Sequence, residues 1–113
     1  MQFQISEELI DKIQYLIEQG NDEELLLHLE DVHHADIAEI LTEINLEEAT
    51  YIVRLLDSEK TAEALMELEE NVRERILENL SPSEIASELN EMDTDDAADI
   101  ISELSPELQQ NVI

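Results

Sequence analysis

From residue 33 onward the large apolar residues return every twelve positions, and this period limits the possible folds more than any other feature of the chain. Blocks begin at His33, Asn45, Asp57, Glu69, Ser81, Asp93 and Ser105. Their twelfth positions read Ile44, Leu56, Leu68, Leu80, Met92 and Leu104, and their ninth read Leu41, Val53, Leu65, Leu77, Leu89 and Ile101. The eighth read Ile40, Ile52, Ala64, Ile76, Glu88 and Ile100, with Glu88 as the exception. Spacings of three and four residues within a block put these side chains on one face of a helix. Five of the block openers, Asn45, Asp57, Ser81, Asp93 and Ser105, are preferred N-cap residues. Pro82 and Pro106 follow two of them, in the first helical position, where the missing N–H has no helical partner to lose. Asn45 with Glu48 and Ser81 with Glu84 have the spacing of capping boxes. Each block therefore reads as a helix of about nine residues, roughly 13–14 Å long, closed by a tight turn. A helix that short is unstable alone, so the blocks must stack on one another.

Ahead of the repeat, Leu9, Ile13, Leu16 and Ile17 recur at helical spacing behind a possible cap at Ser6. Gly20 ends that helix, because glycine takes the left-handed C′ conformation without steric penalty. Asn21 or Asp22 starts the next, which carries Leu25, Leu26 and Leu29. One glycine and two prolines leave little of the turn chemistry that β-hairpins use. The expected fold is all-α, a right-handed superhelix of about eight or nine short helices. Residues 1–32 supply the N-terminal helices and 33–113 the repeats. The last block stops with Val112 and Ile113 in its eighth and ninth positions, whereas a solenoid should end in a polar cap. The chain is accordingly expected to be a fragment of a longer protein.

The charge narrows the function. Thirty-one acidic residues against five basic ones give a net charge of −26. Lys12, Arg54, Lys60, Arg73 and Arg75 are too few and too scattered to form the basic stripe that a phosphate backbone requires. Nucleic acid and anionic membrane surfaces are thus poor partners, and cations or a basic protein surface are good ones. A hydrophobic fraction of 42% separates the chain from acidic disordered tails. There is no cysteine, hence no thiolate ligand or nucleophile. No apolar run approaches the ~18–20 residues of a bilayer span.

Catalytic chemistry finds little support. Ser6, Ser81 and Ser105 stand where caps belong, no glycine-rich loop is present, and His28, His33 and His34 lack the spacing of a zinc site. The chain is not expected to be an enzyme. The segment Asp93-Thr94-Asp95-Asp96-Ala97-Ala98-Asp99 is more informative. Asp95 and Asp99 lie one turn apart at the start of a helix, with Asp96 on an adjacent line. Like charges at that spacing repel unless a cation or the helix N-terminus offsets them. A hard divalent ion suits such oxygen donors, and Mg²⁺ commonly keeps several waters while taking one or two carboxylates. Glu59 and Glu63 repeat the spacing three blocks earlier, at the same two repeat positions. Against this stands the plain reading of helix-start acids on a solvated face. The EF-hand loop is excluded, since its glycine and terminal glutamate are missing.

The segment His33-His34-Ala35-Asp36-Ile37-Ala38-Glu39-Ile40-Leu41 resembles the His-Pro-Ala-Asp-Ile-Ala opening of the cytoplasmic N-terminal domain of MgtE-type magnesium transporters. Glu91-Met92-Asp93-Thr94-Asp95-Asp96-Ala97-Ala98-Asp99 resembles that domain's Glu-Met-Asp-Pro-Asp-Asp-x-Ala-Asp segment. The likeness covers roughly residues 25–113. His34 and Thr94 stand where the family usually has proline, a change that touches helix initiation and leaves the carboxylates in place. The resemblance implies a superhelical domain followed by paired CBS motifs, a connecting helix and a pore that works as a homodimer. It also implies regulatory Mg²⁺ between this domain and the CBS domain of the same full-length chain, closing the pore when the ion is abundant. By motif that role falls to Asp95 and Asp99, then Asp96 and Asp93; Glu59 and Glu63, with no distinctive motif around them, are a second pair by repeat position alone. The implied location is the cytoplasmic side of an inner membrane, without nucleic acid and without direct membrane contact by this piece. The competing reading is a helical-repeat interaction scaffold related to the flagellar motor-switch protein. Acidic mimicry of nucleic acid is a third.

Overall fold

The Ser6 hydroxyl accepts the Leu9 amide at 3.1 Å and opens the first helix, α1 (Glu7–Gln19). Gly20 closes it at φ 67°, where the Asn21 amide reaches back to the Leu16 carbonyl at 3.0 Å. Asn21 then caps α2 (Asp22–Leu29) by accepting the Glu24 amide. The structure is a computed structural model that describes residues 6–112. Seven further helices follow, one per block: α3 (His34–Glu43), α4 (Leu46–Leu55), α5 (Ser58–Glu67), α6 (Glu70–Glu78), α7 (Pro82–Asn90), α8 (Thr94–Glu103) and α9 (Pro106–Val112). Among the described residues these nine helices and no strand make the fold all-α. The expectation placed on the side chains of Val112 and Ile113 lies outside what is described.

The block openers behave as the spacing predicts, with two exceptions. Asn45, Asp57 and Ser81 sit in extended backbone and accept the amide of the third helical residue at 2.8, 2.8 and 3.2 Å. Glu48 and Glu84 return the bond and complete two capping boxes. Ser105 accepts from Leu108, and His33 accepts from Ala35 through Nδ1 at 3.1 Å. Glu69 and Asp93 hold the same backbone position without a side-chain capping bond. At the other end, Ile44, Leu56, Leu68 and Leu104 leave the helix in extended conformation and are buried. One apolar residue thus ends each of these helices and fills the core.

Helices pack mainly on the next but one. The α3, α5, α7 and α9 helices form one row, and α4 packs on α6 in the other. The α1 helix joins through α2 and α4. Side chains tie the second row: Asn79 Nδ2 donates to Thr50 Oγ1 at 2.9 Å, and Arg73 on α6 reaches Glu103 on α8. The eighth, ninth and twelfth positions of the repeat are buried, apart from half-buried Met92 and Ile101. Each fully buried Leu or Ile contributes about 1.5–3 kcal/mol. One continuous core runs from Ile13 and Leu16 of α1 to Leu104, and the described residues extend over 40 × 30 × 22 Å.

A further buried row runs through the fifth position of the first five blocks, which reads Ile37, Ala49, Thr61, Arg73 and Ile85, and ends at half-buried Ala97. Its polar members are satisfied inside. Thr61 Oγ1 donates to the Val53 carbonyl, and Arg73 Nη1 donates to the carbonyls of Leu65 and Leu68 at 3.2 and 2.9 Å. The Arg73 guanidinium also holds Glu103 as a fork, at 3.0 and 2.6 Å.

Candidate functional site

The α8 helix is fixed from beneath by Ile100 and Leu104, four residues apart and buried, with Ala97 and Ile101 half-buried beside them. That anchoring turns Asp93, Asp95 and Asp99 outward, where all three are exposed, and leaves Asp96 half-buried. Asp95 and Asp96 lie in the first turn, and Asp99 lies one turn further along. Asp93 adopts φ −62° and ψ 151°, the geometry of an N-cap, yet its carboxylate does not take the capping bond. Its oxygens therefore remain available, unlike those of Asp57 at the same place in its own block. The last turn of α8 has no basic residue.

The chain's cations are mostly engaged elsewhere. Lys12 lies 3.8 Å from Glu24, Lys60 donates to the Glu30 carbonyl, Arg54 to Glu84 and Arg73 to Glu103. Among the described residues no ion pair reaches Asp93, Asp95, Asp96 or Asp99. A short row of uncompensated carboxylates results.

The second pair has a different setting. Glu59 and Glu63 are exposed on α5, beside a recess of about 300 Å³ bordered also by His33, His34 and Lys60. Glu63 Oε2 lies 3.1 Å from His34 Nδ1, and Glu67 Oε1 lies 3.4 Å from His34 Nε2. The imidazole is clamped between two carboxylates one turn apart, and both ring nitrogens can donate at once in the imidazolium form. His34 thus ties α3 to α5 and engages one member of the candidate pair. Spacing along one helix gives no sign of this, because the clamp joins two helices.

The two acid pairs do not converge. Among the described residues no three His, Asp or Glu side chains come together as a cage for a metal ion. The donor chemistry of α8 fits a hard cation: several carboxylate oxygens, no competing ammonium or guanidinium, and an unused carboxylate at the cap. Ser6, Ser81 and Ser105 all spend their hydroxyls on amides, as caps.

Sequence reasoning passed over one further acidic residue. Glu88, the polar exception in the eighth position, is buried at 7% exposure, and its Oε2 has no hydrogen-bond partner. Burial, with Asp57, Glu84 and Glu91 nearby, pushes its carboxyl up to about 7. One turn earlier, the Ser81 amide and Arg54 hold the Glu84 carboxyl below its ordinary range. The break in the repeat was the available signal.

No curated protein matches the chain. Residues 32–113 match the family model described as the MgtE intracellular N domain. The match begins one residue before the first block, takes in α3 to α9 with both acid pairs, and leaves α1 and α2 outside. Since it covers well over half of the sequence, the chain belongs to the MgtE intracellular N domain family.

Proposed function

We propose that this chain is a Mg²⁺-sensing regulatory domain of a magnesium transporter. In this reading Asp95 and Asp99, with Asp93 and Asp96, hold the ion against acidic groups of a following CBS domain and close the pore when Mg²⁺ is abundant. The family is one of intracellular transporter domains rather than of enzymes. Among the described residues, no helix is long and apolar enough to cross a membrane, so the pore would lie in another part of a full-length homodimer. The observation that carries the reading is the row of exposed α8 carboxylates without a cation partner.

Repulsion and its relief by the ion would drive the switch. A domain of net charge −26 approaching another acidic surface meets a Coulomb cost that its own five cations do not cancel. A divalent ion supplies two positive charges at the contact and accepts oxygen ligands from both sides. Asp95 and Asp99 would provide this domain's share, and when Mg²⁺ is scarce the same carboxylates would repel the neighbour and release it. Glu59 and Glu63 would act as a secondary site, weakened by the hold of His34 on Glu63. Sensing an ion near millimolar levels calls for a binding free energy of only about −4 kcal/mol.

The test compares melting of the chain in MgCl₂ and in NaCl of equal ionic strength. A site at tenfold saturation adds about 1.4 kcal/mol, which for a domain of this size raises Tm by about 6 °C. The Asp95→Asn, Asp99→Asn double variant is expected to lose most of the Mg²⁺-specific part. Equal shifts in both salts would overturn the reading for this domain and favour the interaction scaffold.

A further inference from the structure

The repeat puts Ile or Ala in the eighth position of every other complete block, and Glu88 occupies that place on α7. Its side chain borders a recess of about 180 Å³ lined by Val53, Leu56 and Leu80 and, on its polar side, by Arg54, Ser58, Glu84 and Ser87. The charged groups around it are mostly of its own sign. Asp57 faces it from the start of α5, and Glu84 and Glu91 from α7 and its C-terminal end. The α4 helix brings Arg54, but that guanidinium is taken by Glu84, at 2.9 and 3.4 Å, and by the Asn79 carbonyl at 3.3 Å. Among the described residues, no charged group of α9 is among those acting on Glu88. An ionised carboxylate buried with an empty oxygen and three acidic neighbours is costly, whereas a neutral carboxyl loses much less on burial. The recess has room for a water to accept its proton's hydrogen bond.

We propose that Glu88 is a proton-binding site that controls the packing of α7: the neutral carboxyl seats α7 against α5, and loss of the proton to solvent loosens that contact. The inference stands apart from the Mg²⁺ reading, because it concerns a buried group on another helix and a different ligand. The sign follows from proton linkage. The folded carboxyl titrates at about 7, above its ordinary value of 4.5, so between these values the folded state binds more protons than the unfolded chain. Stability therefore falls as pH rises through that window and levels off above it.

The test is urea unfolding of the chain between pH 5 and 8.5, with a chelator present so that divalent ions play no part. Relative to Glu88→Gln, the unfolding constant of the parent chain is expected to rise by up to roughly tenfold per pH unit inside the window, then stay level. The three histidines are common to both proteins and drop out of the ratio. A carboxyl-carbon NMR titration gives the second readout. Glu88 is expected to titrate near 7, and Glu91→Gln, which removes one repelling charge, to lower that midpoint. Parallel pH profiles, or a Glu88 carboxyl titrating with the surface glutamates, would overturn the proposal. The NMR titration of the parent chain decides the matter even if Glu88→Gln fails to fold.

Discussion

Arg73 and Glu88 are two answers to the same difficulty, a charged side chain in a row the repeat reserves for apolar ones. Arg73 is surrounded by acceptors: two carbonyls and the Glu103 carboxylate. Glu88 has no partner for one oxygen and acidic neighbours around it. Replacing Arg73 by Met leaves Glu103 and the two carbonyls without their donor. We expect urea denaturation of that variant to show a loss of about 3 kcal/mol. Arg73→Met with Glu103→Leu should cost less than Arg73→Met alone, because no stranded carboxylate remains. The fifth-position row could not be read from the sequence, since Thr61 and Arg73 interrupt its apolar pattern and only the carbonyls of preceding turns explain their burial. The eighth, ninth and twelfth rows were legible because their apolar character hardly varies.

For the individual helix, the first two residues carry most of the information. Opener and cap coincide along the repeat, and Pro82 and Pro106 occupy first helical positions. Thr94 stands in the equivalent place on α8. Asp93 before it already has the extended backbone that a following proline demands. Thr94→Pro should therefore stabilise the domain by about 0.5–1 kcal/mol through the unfolded chain, read as a rise in Tm, with the Mg²⁺ response intact. His34→Pro should gain less or lose, because it removes the clamp on Glu63 and Glu67. Helix positions were legible at this level because cap chemistry is local. The clamp was not, because its partners lie on different helices.

For the whole molecule, the acidic row on α8 was legible as a contiguous motif, whereas its lack of counter-charge depends on where the few cations go. Arg54 and Arg73 are spent as ties between helices, and Lys60 as a tie to the Glu30 carbonyl beyond the end of α2. The next-but-one packing, which the Arg73–Glu103 tie reinforces, gives the repeat a parity. A helix belongs to the odd or the even row according to how many blocks precede it. Removing one block of twelve residues would transfer every later helix to the opposite row relative to the helices before it. Removing two adjacent blocks would return each later helix to its own side. We expect deletion of residues 45–68 to leave a cooperative unfolding transition and deletion of residues 45–56 to abolish it, as judged by circular dichroism. Domains of this design should therefore lengthen or shorten in even steps, with twenty-four residues, not twelve, as the unit in which the fold can change size.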